Sequence, residues 1–172
     1  KEVEFPFIHT LLTMEKEGIK VDGEYFETLL LRTDKAIEAL KKEIYLLSNA
    51  SFNLNSTQQL GAVLFDQLGL PPSKKTKTGY STDEFVLNEL IDAHPVIAKL
   101  LEYRELYKLR STYIEPLLKL SKTSPKGRIH TSFMHTGTAT GRLSSKEPNL
   151  QNIPVKTELG REVRGGFVAK EG

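Results

Sequence analysis

Apolar side chains recur at helical spacing through most of the first 120 residues, and the rhythm then stops. Phe5, Ile8, Leu11, Leu12 and Met14 predict a helix over 5–17 that Gly18 ends. Asp22 is a good N-cap for a longer helix to about Leu47. Within it Phe26, Leu30, Thr33, Ile37, Leu40, Ile44 and Leu47 alternate steps of four and three, a heptad-like seam with one polar break at Thr33. A second long helix is predicted from about His94 to Leu120, its seam including Ile97, Leu100, Tyr107, Ile114 and Leu118. Two long helices separated by a compact insert predict an antiparallel hairpin with a small cap at its tip.

The insert reads as two short helices with well-marked starts. Ser56-Thr57-Gln58-Gln59 has the form of a capping box, with Ser56 as N-cap and Gln59 reaching back. It opens a helix with Leu60, Val63, Leu64 and Leu68, closed by Gly69. Ser81-Thr82-Asp83-Glu84 has the same form and opens a helix with Phe85, Val86 and Leu90. Between them lies the loop PPSKKTKTG, residues 71–79, with three lysines. After Leu120 the segment SKTSPKG is a linker or turn, Arg128–Thr136 has strand composition, and Gly137–Glu147 shows no apolar period. Val163–Ala169 is a further candidate strand. The expected fold is mostly α with a small β portion.

Composition changes this picture in three places. The chain of 172 residues carries 24 basic and 22 acidic residues, but unevenly. Residues 1–70 hold 7 Lys/Arg against 11 Asp/Glu, a net of −4, and residues 71–172 hold 17 against 11, a net of +6. A basic C-terminal portion points to a polyanionic partner. There is no cysteine, which excludes disulfides and thiolate metal sites. No apolar run reaches membrane-spanning length, so no membrane partner is expected. The chain starts at Lys1 rather than Met, as a fragment of a longer protein would.

Three constellations could carry function. Asn53, Asn55 and Ser56 sit at one helix start and Ser81 and Thr82 at the other, with Lys74, Lys75 and Lys77 between; together they could hold successive phosphates without regard to sequence. The plain alternative is ordinary capping beside a solvated loop. Arg104, Lys108 and Ser111 fall at i, i+4 and i+7 on the return helix, with Thr112 beside them. That stripe suits a phosphate backbone, or is a solvated face balanced by Glu102 and Glu105. The third set is Arg142, Asn149, Gln151 and Asn152 within TATGRLSSKEPNLQNIP, residues 138–154. No helix or strand period explains those residues. Amide NH2 groups and a guanidinium are donors, and the minor groove presents acceptors at similar positions in every base pair. Pro148 and Pro154 would stiffen the segment. The alternative is a polar loop satisfying its own turns. Neither catalytic nor metal-binding residues are expected here. His9, His94, His130 and His135 are not at ligand spacing, and His130 and His135, five apart on a strand, would face opposite sides.

FNLNSTQQL (52–60), YRELYKLRSTYIEPL (103–117), TATGRLSS (138–145) and PNLQNIP (148–154), in this order and spacing, resemble the family A DNA polymerases, the DNA polymerase I family. The resemblance covers essentially the whole chain. It implies a long antiparallel helical hairpin, the thumb, over 21–122 with a tip over 50–92. Residues 1–20 would be a lead-in helix and 123–172 a few strands of an incomplete palm. It further implies that Asn53, Asn55, Ser56, Lys75, Ser81, Lys108, Ser111 and Thr112 contact duplex product. Arg142, Asn149, Gln151 and Asn152 would lie near the primer terminus and sense pairing through the minor groove. Two positions depart from the family pattern. Met134-His135 stands where Asn-Gln or His-Gln is usual, and Gly165-Gly166 is looser than usual.

The motif resembling DYSQIELR, with the family's first metal-binding aspartate, would follow Gly172. The expectation is therefore a piece of a DNA-directed DNA polymerase that grips primer–template duplex during replication and repair synthesis. It would hold no cofactor itself, with two Mg ions in the full enzyme. Deoxynucleotide triphosphates would bind only with the missing palm and fingers, and the remaining polymerase chain is a further expected partner. The expected location is cytoplasmic, nucleoid-associated. Two other classes are a standalone sequence-independent duplex-binding module and a helical interaction protein whose seams pair with another chain.

Overall fold

The structure, a computed structural model, describes residues 4–72, 75–76 and 79–169. In chain order come α1 (Glu4–Glu17), β1 (Ile19–Val21), α2 (Gly23–Ser48), α3 (Thr57–Gly61), β2 (Lys75–Thr76), β3 (Gly79–Tyr80), α4 (Glu84–Glu89), α5 (Pro95–Leu109), α6 (Glu115–Thr123), β4 (Arg128–Ile129), β5 (Ser132–Met134), β6 (Ser144–Lys146), α7 (Glu158–Gly165) and β7 (Phe167–Val168). The fold is mostly helical with a few short antiparallel strands, as the sequence predicts. Two compact units partition it: one holds the chain up to Leu31 and from Leu109 onward, the other Arg32–Lys108. No helix among the described residues is long and apolar enough to cross a membrane.

The 32–108 unit is built on the predicted seam. Ile37, Leu40 and Ile44 of α2 pack with Val96, Ile97, Leu100 and Tyr103 of α5, and the insert supplies Leu60, Leu64, Phe65, Val86 and Leu87. Lys99 pairs with Glu43 across the two helices at 2.8 Å. Tyr107, assigned to the seam from spacing, is 37% exposed and stacks on buried Tyr103 instead.

The return helix is also not one uninterrupted α-helix. Residues Arg110–Ile114 form a π-helical turn between α5 and α6, which inserts an extra residue and shifts the phase of the buried face. Leu109 before it, Tyr113 and Ile114 within it, and Leu117 and Leu118 beyond it are all buried.

Capping differs in detail from the pattern read in sequence. Ser56 Oγ accepts from Gln59 N as expected, but the Gln59 carboxamide oxygen accepts from Asn53 N at 2.8 Å. The second cap is Asp83, not Ser81: its Oδ1 accepts from Val86 N at 2.9 Å. Ser81 Oγ donates to the other carboxylate oxygen at 2.8 Å and so orients the cap. A carboxylate at a helix start outcompetes a hydroxyl because it answers both the unpaired N–H groups and the dipole.

The other unit centres on Phe26, Tyr113, Ile114, Leu117, Ile129, Ile153 and Val163. Asp22 caps α2 through Tyr25 N at 3.0 Å. β1, absent from the sequence reading, is the middle strand of a sheet in order β4-β1-β7, antiparallel on both sides. Gly18 feeds it with φ of +61°, where an added Cβ would meet Ile129 O at 2.6 Å, so only glycine fits.

The strand expected over 128–136 is two pieces, β4 and β5, broken at His130–Thr131. The opposite-face argument for His130 and His135 therefore lapses: His130 Nδ1 contacts Glu15 O at 2.8 Å and His135 packs edge-on to Phe7. β6 lies inside the stretch read as aperiodic and pairs with β5 in the register Ser132↔Lys146, Phe133↔Ser145, Met134↔Ser144. The strand expected over 163–169 shrinks to β7, because Val163 belongs to α7, capped by Thr157 through Gly160 N at 3.1 Å. α1 forms as predicted, but only Leu11 of its apolar positions is buried, while Phe5, Phe7, Leu12 and Met14 are exposed.

The assignment of the second cap is testable. Asp83→Ala is expected to lower stability by ~1 kcal/mol, the usual worth of an N-cap, and Asp83→Asn by less. Urea unfolding checks it; a neutral Asp83→Ala beside a costly Ser81→Ala would return the cap to Ser81.

Candidate nucleic-acid interface

The expected site residues fall in both units. In the 32–108 unit, Asn53 and Asn55 lie in the turn before α3, both exposed. Asn53 Oδ1 accepts from Asn55 N at 3.0 Å, a local Asx turn. Asn55 Oδ1 accepts from the Tyr103 hydroxyl at 3.3 Å. The backbone donor fixes the Asn53 flip and leaves its NH2 group on the solvent side, and the Tyr103 hydroxyl, as donor, orients Asn55 in the same sense. Gln59 does the same through its bond from Asn53 N, a third outward amide that the sequence reading took only as a capping residue.

Two expected contacts are committed elsewhere. Ser81 is buried and bonds Asp83. Arg104 aims its guanidinium at Thr82, donating to its carbonyl and, at 3.2 Å, to its Oγ1. Burial pulls the Arg104 pKa down against the raising effect of Asp83 and Glu84. A cleft of about 1040 Å³ beside it mixes Asp66, Asp83 and Arg104 in its lining, so its walls carry both signs. Lys108 is exposed at the end of this unit. Lys74 and Lys77 lie outside the described residues, and of Lys75 only the backbone, paired with Tyr80, is described.

In the other unit, Ser111 and Thr112 are exposed on the π-helical turn. Arg142 sits in the loop joining β5 and β6, held by backbone: Thr138 Oγ1 donates to Arg142 O at 2.7 Å, and Gly141 takes φ of +71°. The guanidinium itself is exposed and makes no hydrogen bond among the described residues. Asn149, Gln151 and Asn152 lie together in the turn after β6, all exposed. Asn149 Oδ1 accepts from Gln151 N at 3.2 Å, and Gln151 Oε1 accepts from Ser145 N at 3.1 Å. Here too the oxygens face inward and the NH2 groups outward.

The turn is tied down along its length. Thr131 Oγ1 bonds Lys146 O and Pro148 O at 3.0 and 2.7 Å. Ser145 Oγ accepts from Leu150 N at 2.9 Å, Tyr113 donates to Asn152 O at 2.7 Å, and Arg164 donates to Ile153 O at 2.8 Å. α7 presses on its end, since a Cβ on Gly160 would meet Pro154 O at 2.5 Å. Sequence spacing pointed to none of these holders, because their partners are backbone groups that carry no residue identity.

Exposed donors on hydrogen-bonded turns have the chemistry to meet an acceptor-rich ligand. The family model for DNA polymerase family A matches residues 23–172, and the chain belongs to that family. It is 51% identical over its whole length to the thermostable DNA polymerase I of Thermus thermophilus, covering 21% of that protein. It is 49% identical over 98% of its length to DNA polymerase I of Helicobacter pylori, covering 18% of that protein. The chain thus spans about a fifth of these relatives. Among solved structures it is similar to the POL domain of Pol1 from M. smegmatis in complex with DNA primer-template and dNTP. There the TM-score is 0.88 and the identity 45%, over 98% of this chain and 30% of that one. These relatives favour a polymerase piece over a standalone module or a helical interaction protein.

Burial pushes the Tyr103 hydroxyl above its ordinary value. The unfolded chain therefore loses that proton first. The stabilisation is whole below about pH 10 and is lost as pH rises through the raised folded value. Tyr103→Phe is expected to flatten the alkaline fall of the urea midpoint relative to the parent chain. An unchanged fall would remove Tyr103 from that account.

Proposed function

We propose that this chain is the part of a family A DNA-directed DNA polymerase that holds primer–template duplex by backbone and minor groove. The observation that carries the reading is the common orientation of the amides: Asn53, Asn55, Asn149 and Gln151 each bond the protein through oxygen and offer NH2 outward. Donors so fixed suit phosphate oxygens and the minor-groove acceptors that every base pair presents. Arg142 and Asn152 extend this set in one unit, and Ser56, Lys75, Lys108, Ser111 and Thr112 are backbone contacts in the same reading. Ser81 and Arg104 serve it by shaping the Thr82–Asp83 segment.

Residues 21–122 act as thumb with its tip over 50–92, 1–20 as lead-in, and 123–172 as the start of the palm. The family implies metal-dependent chemistry, with two Mg ions in the full enzyme. The described residues do not fit a metal: no group of three or more His, Asp or Glu converges among them. Nucleotide addition and binding of deoxynucleotide triphosphates belong in this reading to the rest of the polymerase, which is a partner of this surface. The setting is cytoplasmic and nucleoid-associated.

Fluorescence anisotropy with primer–template duplexes of several sequences tests the reading. Binding should be insensitive to sequence and fall steeply with salt. Gln151→Glu keeps the oxygen that accepts from Ser145 N and replaces the donor by an anion; it should weaken binding by about 10- to 100-fold, the worth of one good groove contact. Absence of binding at low salt, or a neutral Gln151→Glu, would contradict it.

A further inference from the structure

Tyr113 connects two sets of expected contacts within one unit. Its ring is buried, 7% exposed, among Leu109, Ile114 and Leu117, and its hydroxyl donates to Asn152 O at 2.7 Å. It sits on the π-helical turn Arg110–Ile114, directly after Ser111 and Thr112. Asn152 ends the turn that presents Asn149 and Gln151. The other bonds on that turn come from elsewhere: Thr131 and Ser145 at its start and middle, Arg164 at its end. The Tyr113 hydroxyl is a bond that joins the amide turn to the helical segment carrying Ser111 and Thr112.

We propose that Tyr113 is a positioning residue for minor-groove reading: its hydroxyl sets the height and tilt of the Asn149–Asn152 turn against the π-helical turn. The inference rests on the minor-groove reading above. A buried ring cannot reach the ligand, so Tyr113 acts through Asn152 and its neighbours. The π-helical turn is what makes this possible. An extra residue in the turn rotates the following side chains, which lets Tyr113 and Ile114 both face the core while Ser111 and Thr112 remain exposed. Burial also raises the Tyr113 pKa, which favours the protonated hydroxyl that donates.

The test compares binding of this chain to duplexes carrying natural purines or 3-deazapurines near the primer terminus, which lack the minor-groove N3 acceptor. The parent chain should lose about 10-fold or more in affinity on the 3-deaza duplex. Tyr113→Phe should shrink that ratio to below about 3-fold while leaving the salt slope unchanged, since no phosphate contact is removed. Tyr113→4-aminophenylalanine, which restores a donor, should restore the ratio. Tyr113→4-fluorophenylalanine replaces the Phe variant if the latter loses its fold.

A Phe or fluoro variant that keeps the parent ratio, whatever its thermal stability, overturns the proposal, because a merely structural hydroxyl would leave the ratio alone. A parent chain that binds duplex but shows no 3-deaza penalty overturns minor-groove reading and this inference together. A parent chain that fails to bind duplex at all overturns the proposed function.

Discussion

The arrangement depends on one kind of bond, a side-chain amide oxygen accepting from a protein donor. Ser145 is buried in β6, and its N–H needs an acceptor; leaving such a group unpaired costs ~1–3 kcal/mol. Gln151 Oε1 supplies it. The same bond that completes the backbone therefore decides which end of the amide faces solvent. Asn149 on Gln151 N, Asn53 on Asn55 N and Asn55 on the Tyr103 hydroxyl repeat the device. A surface polar in composition becomes, by these bonds, a surface of donors. In the proposed function such a surface suits a ligand rich in acceptors and poor in donors.

Holding donors in place takes a rigid support, and the fold provides it from distant parts of the chain. β5 and β6 pin the start of the amide turn through Thr131 and Ser145, while the π-helical turn reaches its end through Tyr113. α7 closes the far side, with Arg164 on Ile153 O and Gly160 against Pro154. The elements around the turn are two to eight residues long, apart from the helix bearing Tyr113. Their worth lies in where they put hydrogen bonds rather than in the apolar area they bury. The proposed function fits this picture: donors directed at acceptors common to all base pairs would let a member of the family hold any sequence.

Much of the scaffold was legible in the sequence because long helices carry their own evidence. Phe26, Thr33, Ile37, Leu40 and Ile44 of the α2 seam are buried as their spacing predicts, with Leu29 more deeply buried than Leu30. Short elements carry no such signal. β1 is three residues whose strand state is decided by β4 and β7 on either side. α7 offers only Leu159 and Val163 to the core, too few to set a period, though Thr157 followed by an acidic residue marks its start. The phase slip at Arg110–Ile114 left no trace in composition, so Tyr107 was placed inside and Tyr103 overlooked. At the site, the residue types Arg142, Asn149, Gln151 and Asn152 were legible. The direction of each amide was not, since it depends on a donor brought up by folding. Arg104 shows the same limit, its guanidinium being drawn to Thr82 by an insert that helical spacing cannot see.

The most direct test of the account is an NMR titration of this chain with primer–template duplex, observing the side-chain amide groups and the hydrogen-bond coupling between Ser145 N and the Gln151 carboxamide carbon. The account predicts that the coupling persists from free to bound chain while the NH2 resonances of Asn53, Asn55, Asn149 and Gln151 shift on binding. Loss of the coupling on binding, or saturation with duplex that leaves those NH2 resonances in place, would contradict it.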